Sequence, residues 1–340
     1  MDNIVVIGAG VMGSALAIHL GNAGRNVRLW GTKWDKEVID SMKETGKNES
    51  LGVDMPDSIS YYYHDQLEEA IEGTKLIIIA VISKGMKDIS RRINPFLKDE
   101  QTILSITKGI DGESLLTMSS IIENSLSEEQ KEDIPVVKLG GPIIAKELAQ
   151  GKYTEGVFAS KKLEGSKYAK EIFRTARFRS STSKDILGVD LCAAFKNTYA
   201  IGMGIIEGLE GDSNNPKAAL MARGSIEMGN IVKAYGGERK TALGIAGIGD
   251  YYVTSQGGRN GRFGKLIGEG KSVEEAKEIM KDTTVEGLDS TFNGYKFLKE
   301  LENDNKINMK EDTPLFLEIY NILYNNKSGI DGINDYWLSD

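Results

Sequence analysis

Proton transfer near neutral pH needs an acid–base group held where water does not dictate its behaviour, and this chain offers few. It has two histidines. His19 falls inside the first apolar helical stretch and His64 follows the aromatic strand SISYYYH, so both read as structural. Lysine and carboxylate are left for acid–base work. Lys196 stands in CAAFKNTYA, a helical stretch whose Cys192, Ala193 and Ala200 share its face and are small enough to admit another surface. Its ammonium either snorkels to water along its methylenes or is held dry because its proton is used. Lys108, in LSITKGI, lies just past an apolar strand, at the carboxyl edge where open α/β sheets bind ligands. Partial desolvation, or a second ammonium nearby, favours a neutral lysine that can exchange a proton. Further on, GIAGIGDYYVTSQGGRNGRFG supplies Asp250, Arg259 and Asn260 before a helix. The guanidinium fork and the helix amino end suit a phosphate. The competing reading makes Asn260 an N-cap and leaves Arg259 in water.

The glycine run GAGVMG points to the co-reactant. Gly8, Gly10 and Gly13, with Ala9, Val11 and Met12 between them, follow an apolar strand and open a helix. That context suits a dinucleotide pyrophosphate: one glycine for the tight turn, one for close approach of the backbone, one for helix–strand packing. The second strand ends RLWGTKWD, where the acid that would bind a ribose 2′-hydroxyl is missing from the tip and Asp35 comes late. Thr32 and Lys33 stand there instead, either to meet a 2′-phosphate or merely to be solvated. NADPH is therefore expected to be accepted alongside NADH. With two histidines and one cysteine, no metal is expected.

These residues need positioning elements. NIVVIG, NVRLW, KLIIIAV, QTILSIT and PVVKLG are strand-like runs separated by helical stretches, and TEGVFAS and FRSSTS add two more strands. Such alternation predicts an α/β Rossmann-type domain with a parallel-rich sheet over residues 1–187. From residue 188 to 340 the period becomes helical, with helices near 189–208, 216–235, 261–268, 272–281, 286–301 and 312–325, predicting an all-α domain. Pro216 suits a first helical turn, and Ser272 with Glu275 has capping-box spacing. A length of 340 residues fits two domains. A net charge of -8 argues against nucleic acid or an anionic membrane as partner. The single cysteine, the start MDNIVVIGAG without a basic leader, and the lack of a long apolar run make a cytoplasmic protein without membrane insertion the expectation.

Together these residues resemble the NAD(P)-dependent glycerol-3-phosphate dehydrogenase family over nearly the whole chain. The likeness rests on GAGVMGSAL, SITKGI, LGGPIIAKELAQG, GVDLCAAFKNTYAIGMGI, NNPKAALMARGSIEM, GIAGIGD, GGRNGRFG and TTVEG, in that order. It implies reversible reduction of dihydroxyacetone phosphate, a three-carbon phosphorylated substrate, to sn-glycerol 3-phosphate with NAD(P)H, feeding lipid synthesis, by a homodimer. Lys196 matches the proton donor of reduction and acceptor of oxidation. Lys108 matches a lysine contacting substrate and cofactor, and Asp250 the acid beside the active-site lysine. Arg259 and Asn260 match the phosphate holders, with Arg259 also bordering the cofactor. Gly141 falls in a substrate-contacting turn, and Ala145 and Glu286, with Val285 adjacent, match positions lining the dinucleotide. The chain departs from the pattern at GPIIA, where many bacterial members have GPSFA or GPSNA, and at Gly258, where serine is usual. Those departures favour, as the alternative, reduction of a related small keto phosphate. A dinucleotide sensor without turnover would not require Lys108, Lys196, Asp250 and Arg259 together.

Overall fold

A computed structural model describes residues 3–339, and the chain divides into two compact units. The first comprises the chain up to Lys108 and Met118–Ile186; the second comprises Gly109–Thr117 and the chain from Leu187 onward. The excursion Gly109–Thr117 carries no sequence signal. It is held in the second unit by Asn293 Nδ2 donating to the Ile110 carbonyl at 3.0 Å and Lys296 Nζ donating to that of Gly112 at 2.7 Å.

The strands of the first unit are β1 (Asn3–Ile7), β2 (Val27–Trp30), β3 (Lys47–Asn48), β4 (Val53–Asp54), β5 (Ile59–Tyr62), β6 (Thr74–Ile79), β7 (Thr102–Ser105), β8 (Val136–Gly140), β9 (Thr154–Ala159) and β10 (Phe178–Ser183). β3 and β4 form a separate hairpin, and the other eight form one sheet in the order β10-β9-β8-β7-β6-β1-β2-β5. Only the β8–β9 pairing in that sheet is antiparallel. Continuous apolar strands such as NIVVI are what a sheet covered on both faces requires. The chain moves to opposite sides of β1 when it lays down β2 and β6, so the switch point lies at the carboxyl end of β1. Because β1, β2, β6, β7 and β8 run parallel, the glycine loop, Thr32, Lys108 and Gly141 all emerge on that one edge. Helix α1 (Val11–Asn22) leaves the glycine loop and is buried from Gly13 to Gly21. His19 on α1 donates from Nε2 to the Phe173 carbonyl at 3.1 Å and packs against Phe173 and Phe178, a structural role.

The second unit is helical around the 25-residue helix α2 (Ile186–Glu210), which is buried through most of its length. Around it lie α3 (Asn214–Ala234), α4 (Asp250–Ser255), α5 (Arg259–Gly268), α6 (Glu286–Asn303) and α7 (Pro314–Tyr324). Pro216 lies in the first turn of α3, and Ser272 and Glu275 form both bonds of the capping box. α4 has no clear sequence signature, because one and a half turns are too short for a period to show. It is fed by a single π turn, Ile245–Gly249.

Glycines decide how α5 meets α2. A Cβ added at Gly204 would lie 2.0 Å from the Gly261 carbonyl oxygen, and one at Gly264 would lie 2.1 Å from that of Ile201. Gly208 and Gly268 are equally tight, so the two helices touch backbone to backbone. Gly264→Ala is expected to force them apart and lower unfolding stability by about 1–3 kcal/mol. Denaturant titration of parent and variant measures this; an unchanged midpoint and slope would exclude the close contact.

Candidate active site

At the carboxyl edge of the first unit each glycine of GAGVMG has its own reason. Gly8 has φ +110°, and a Cβ there would meet the Ala80 carbonyl oxygen at 2.8 Å. A Cβ at Gly13 would lie 1.9 Å from the Gly8 carbonyl oxygen, so helix and strand pack only with glycine. At Gly10 nothing lies within 4 Å of such an atom. Gly10 and Val11 are exposed at the amino end of α1, while Ala9 is buried and Met12 half-buried. A helix amino end approached by no intervening side chain fits a dinucleotide pyrophosphate.

The tip of β2 differs from its reading as a site without an acid. Asp35 Oδ2 turns back to accept from Thr32 N and Thr32 Oγ1, both at 2.8 Å, and from Ala9 N at 3.4 Å. Its carboxylate therefore links the strand tip to the glycine loop. Thr32 spends its hydroxyl proton on Asp35, and the Lys33 ammonium lies 4.8 Å above the Trp34 ring. His64 accepts from Arg92 at 2.8 Å, which again is structural. On the same edge Lys108 is half-buried after β7, and Gly141 takes φ +131° in the turn after β8. The Ile143 amide closes that turn onto the Gly141 carbonyl at 2.8 Å, and its side chain is a buried apolar wall. Ala145 starts the short helix Ala145–Ala149 just beyond.

In the second unit the snorkelling alternative for Lys196 is excluded. The residue is 2% exposed, so it does not snorkel. Its Nζ donates to Asp250 Oδ1 at 2.8 Å and to Thr254 Oγ1, and Thr254 Oγ1 donates to the Asp250 carbonyl at 2.7 Å. Asp250 and Thr254 are one turn apart on α4, so a single short helix presents both. Sequence reasoning missed Thr254; the i, i+4 spacing from Asp250 was available but the helix that gives it meaning was not.

The neighbouring Asn197 Oδ1 accepts from Asn260 Nδ2 at 3.1 Å, and Asn260 Oδ1 accepts from Gly287 N at 2.9 Å. Asn260 is buried and Gly258 is the N-cap of α5, so the capping alternative for Asn260 is not the one adopted. Asn197, also missed, keeps a buried Nδ2 with no protein partner. Arg259, at the first position of α5, is 54% exposed, with one guanidinium nitrogen 3.5 Å from Glu286 Oε1. Val285 is the N-cap of α6 and Glu286 its first residue.

A second buried acid braces this group. Glu227 Oε1 accepts from Leu315 N at 2.7 Å, and its Oε2 accepts from Phe316 N and Tyr199 Oη, each at 2.9 Å. Tyr199 is one turn beyond Lys196 on α2, and its ring lies 6.0 Å from that of Tyr251, the residue after Asp250. Glu227 thus ties α2 and α3 to the first turn of α7. Burial outweighs its three donors and raises its pKa to about 7. Among the described residues no His, Cys, Asp and Glu cluster suits a metal, and no helix is long and apolar enough to cross a membrane.

A dinucleotide-binding fold in the first unit and a buried lysine–aspartate pair in the second are features that a nicotinamide-dependent oxidoreductase requires. Residues 3–166 match the family described as NAD-dependent glycerol-3-phosphate dehydrogenase N-terminus, and residues 185–334 match the corresponding C-terminus. The chain belongs to this glycerol-3-phosphate dehydrogenase family. It is 37% identical over 341 residues to the NAD(P)+ glycerol-3-phosphate dehydrogenase of Thermoanaerobacter, covering 99% of this chain and 97% of that one. It is 35% identical over 328 residues to the NADP(+)-dependent enzyme of Archaeoglobus fulgidus, covering 94% and 95%. The crystal structure of glycerol-3-phosphate dehydrogenase from Coxiella burnetii superposes with a TM-score of 0.85 at 30% identity, over 99% of each chain.

Glu227 makes stability depend on pH. Folded, the carboxyl keeps its proton up to about pH 7, whereas the ordinary value is 4.5. Its contribution is therefore full below 4.5 and lost as pH rises through 7. Relative to Glu227→Gln, the parent is expected to lose on the order of 3 kcal/mol across that window. Denaturant titrations at pH 5 and pH 8 measure the difference; a gap that does not change with pH would mean Glu227 keeps one protonation state.

Proposed function

We propose that this chain interconverts dihydroxyacetone phosphate and sn-glycerol 3-phosphate using NADH or NADPH, through the residues described above. The observation that carries the reading is the Lys196 ammonium, 2% exposed and bonded to Asp250 at 2.8 Å. A buried ammonium on a dehydrogenase scaffold is suited to giving a proton to a ketone oxygen and taking it back from an alcohol.

The glycine loop with Gly8, Gly10 and Gly13 would hold the pyrophosphate, Thr32 and Lys33 would flank the adenosine ribose, and Ala145, Val285, Glu286 and Arg259 would line the rest of the dinucleotide. When bound, the reduced nicotinamide supplies the hydride that reaches the carbonyl carbon. Lys196 donates the proton that the carbonyl oxygen then needs, so ketone becomes secondary alcohol with charge balanced. Asp250 and Thr254 orient the ammonium, and Lys108 and Gly141 contact the substrate. Arg259 and Asn260 hold its phosphate, with Asn197 Nδ2 as a further donor to the substrate. The enzyme would act as a cytoplasmic homodimer supplying the glycerol phosphate backbone of lipids, and its net charge of -8 fits a small-molecule partner better than nucleic acid.

Reduction of a related keto phosphate is the second reading, favoured by Ile143 and Gly258 placing no hydroxyl where many relatives have serine. Initial rates with dihydroxyacetone phosphate and a panel of keto phosphates, each with NADH and NADPH, separate the two. A much higher kcat/KM on another ketone would select the alternative, and activity with NADH alone would remove the NADPH assignment. Lys196→Ala is expected to lower kcat by about 10²–10⁴ with little change in cofactor affinity; near-normal turnover would take Lys196 out of the chemistry. Arg259→Ala is expected to weaken binding of the phosphorylated substrate by about 1.5–3 kcal/mol. An unchanged KM would show that the phosphate sits elsewhere.

A further inference from the structure

β8 crosses the interior of the first unit's sheet, paired with β7 and β9, and its middle residue is a lysine. Lys138 lies in register with Ser105 on one side and Ala159 on the other, and is 0% exposed. Strand centres covered on both faces are normally apolar, and its neighbours Val136, Val137 and Leu139 are. Taking an ammonium out of water carries an effective penalty of several kcal/mol, so a buried lysine in such a place needs a compensating use.

The direction of its side chain indicates the use. Lys138 Nζ donates to the carbonyl of Thr107, the residue immediately before Lys108. Thr107 is itself buried, and its Oγ1 donates to the Val81 carbonyl at 2.7 Å. The Ile106 amide donates to the Ile79 carbonyl at 3.2 Å. The turn that presents Lys108 is therefore moored on one side to the end of β6 and the residues after it, and on the other side to β8 by the Lys138 ammonium. A charged donor to a buried carbonyl is stronger and shorter than a neutral one. Mooring matters here because a small displacement of a positioning or reacting group can cost orders of magnitude in rate.

We propose that Lys138 is a positioning residue for this reaction: its buried ammonium fixes the Thr107–Lys108 backbone and so aims Lys108 at substrate and cofactor. The inference rests on the role given to Lys108 above. A methionine would fill the same space as the lysine stem without the charge or the donor, so Lys138→Met is expected to leave thermal stability unchanged or raised.

The test is a double-mutant cycle in the full-length protein, with Lys138→Met, Lys108→Ala and the pair, read as kcat and KM for dihydroxyacetone phosphate. Lys138→Met is expected to lower kcat/KM at least tenfold when Lys108 is present and to change it less than twofold in the Lys108→Ala background. Equal losses in both backgrounds would mark Lys138 as merely structural and overturn the inference. So would parent-like kinetics of Lys138→Met beside a large loss in Lys108→Ala. Parent-like kinetics of Lys108→Ala would instead overturn the role of Lys108, and the inference with it. Should the methionine variant not fold, the same cycle and criteria apply with Lys138→Gln.

Discussion

An ammonium kept away from water is stable only if something replaces its hydration, and the second unit is organised around that requirement. Lys196 and Asp250 are both 2% exposed in their side chains and meet at 2.8 Å. Removing one partner of such a buried pair typically costs about 3–5 kcal/mol, whereas an exposed pair is worth a fraction of that. The pair therefore demands rigid supports. Asp250 opens α4 directly after a π turn, and Thr254 one turn on closes over the same ammonium. α2 cannot shift without disturbing Tyr199, Glu227 and the amino end of α7. The glycines of α2 and α5 bring Asn260 to Asn197, next along the chain from Lys196.

The first unit meets a different constraint, that of collecting chemistry from distant parts of the chain on one line. Parallel strands do this because all their carboxyl ends point the same way. The glycine loop, the tip of β2, Lys108 and the Gly141 turn are far apart in sequence but share that edge. Asp35 adds an electrostatic element: its carboxylate joins the β2 tip to the glycine loop.

Much of this was legible in the residue order. The strands were legible because burial on both faces demands unbroken apolar runs, and the glycine triad because each spacing has a steric reason, which the structure repeats at Gly8 and Gly13 while leaving open space at Gly10. Lys196 stood out because its neighbours are small and apolar. What stayed hidden depended on short or returning segments. α4 was too short to show a period, which concealed Thr254. Asp35 looked too far along the chain because a turn that folds back has no linear signature. Lys138 read as one more residue of a strand, since PVVKLG does not say which way its fourth side chain will reach.

The sequence by itself determined the order of strands and helices, the dinucleotide loop and the family, because periodicity and steric spacing are local properties of a chain. Tertiary structure decided which polar atoms meet. It buried Lys196 against Asp250 and Thr254, made Gly258 rather than Asn260 the cap of α5, and turned Lys138 toward the carbonyl before Lys108. Those outcomes follow from the paths of other segments, since a buried charge takes whatever partner packing brings within hydrogen-bond reach.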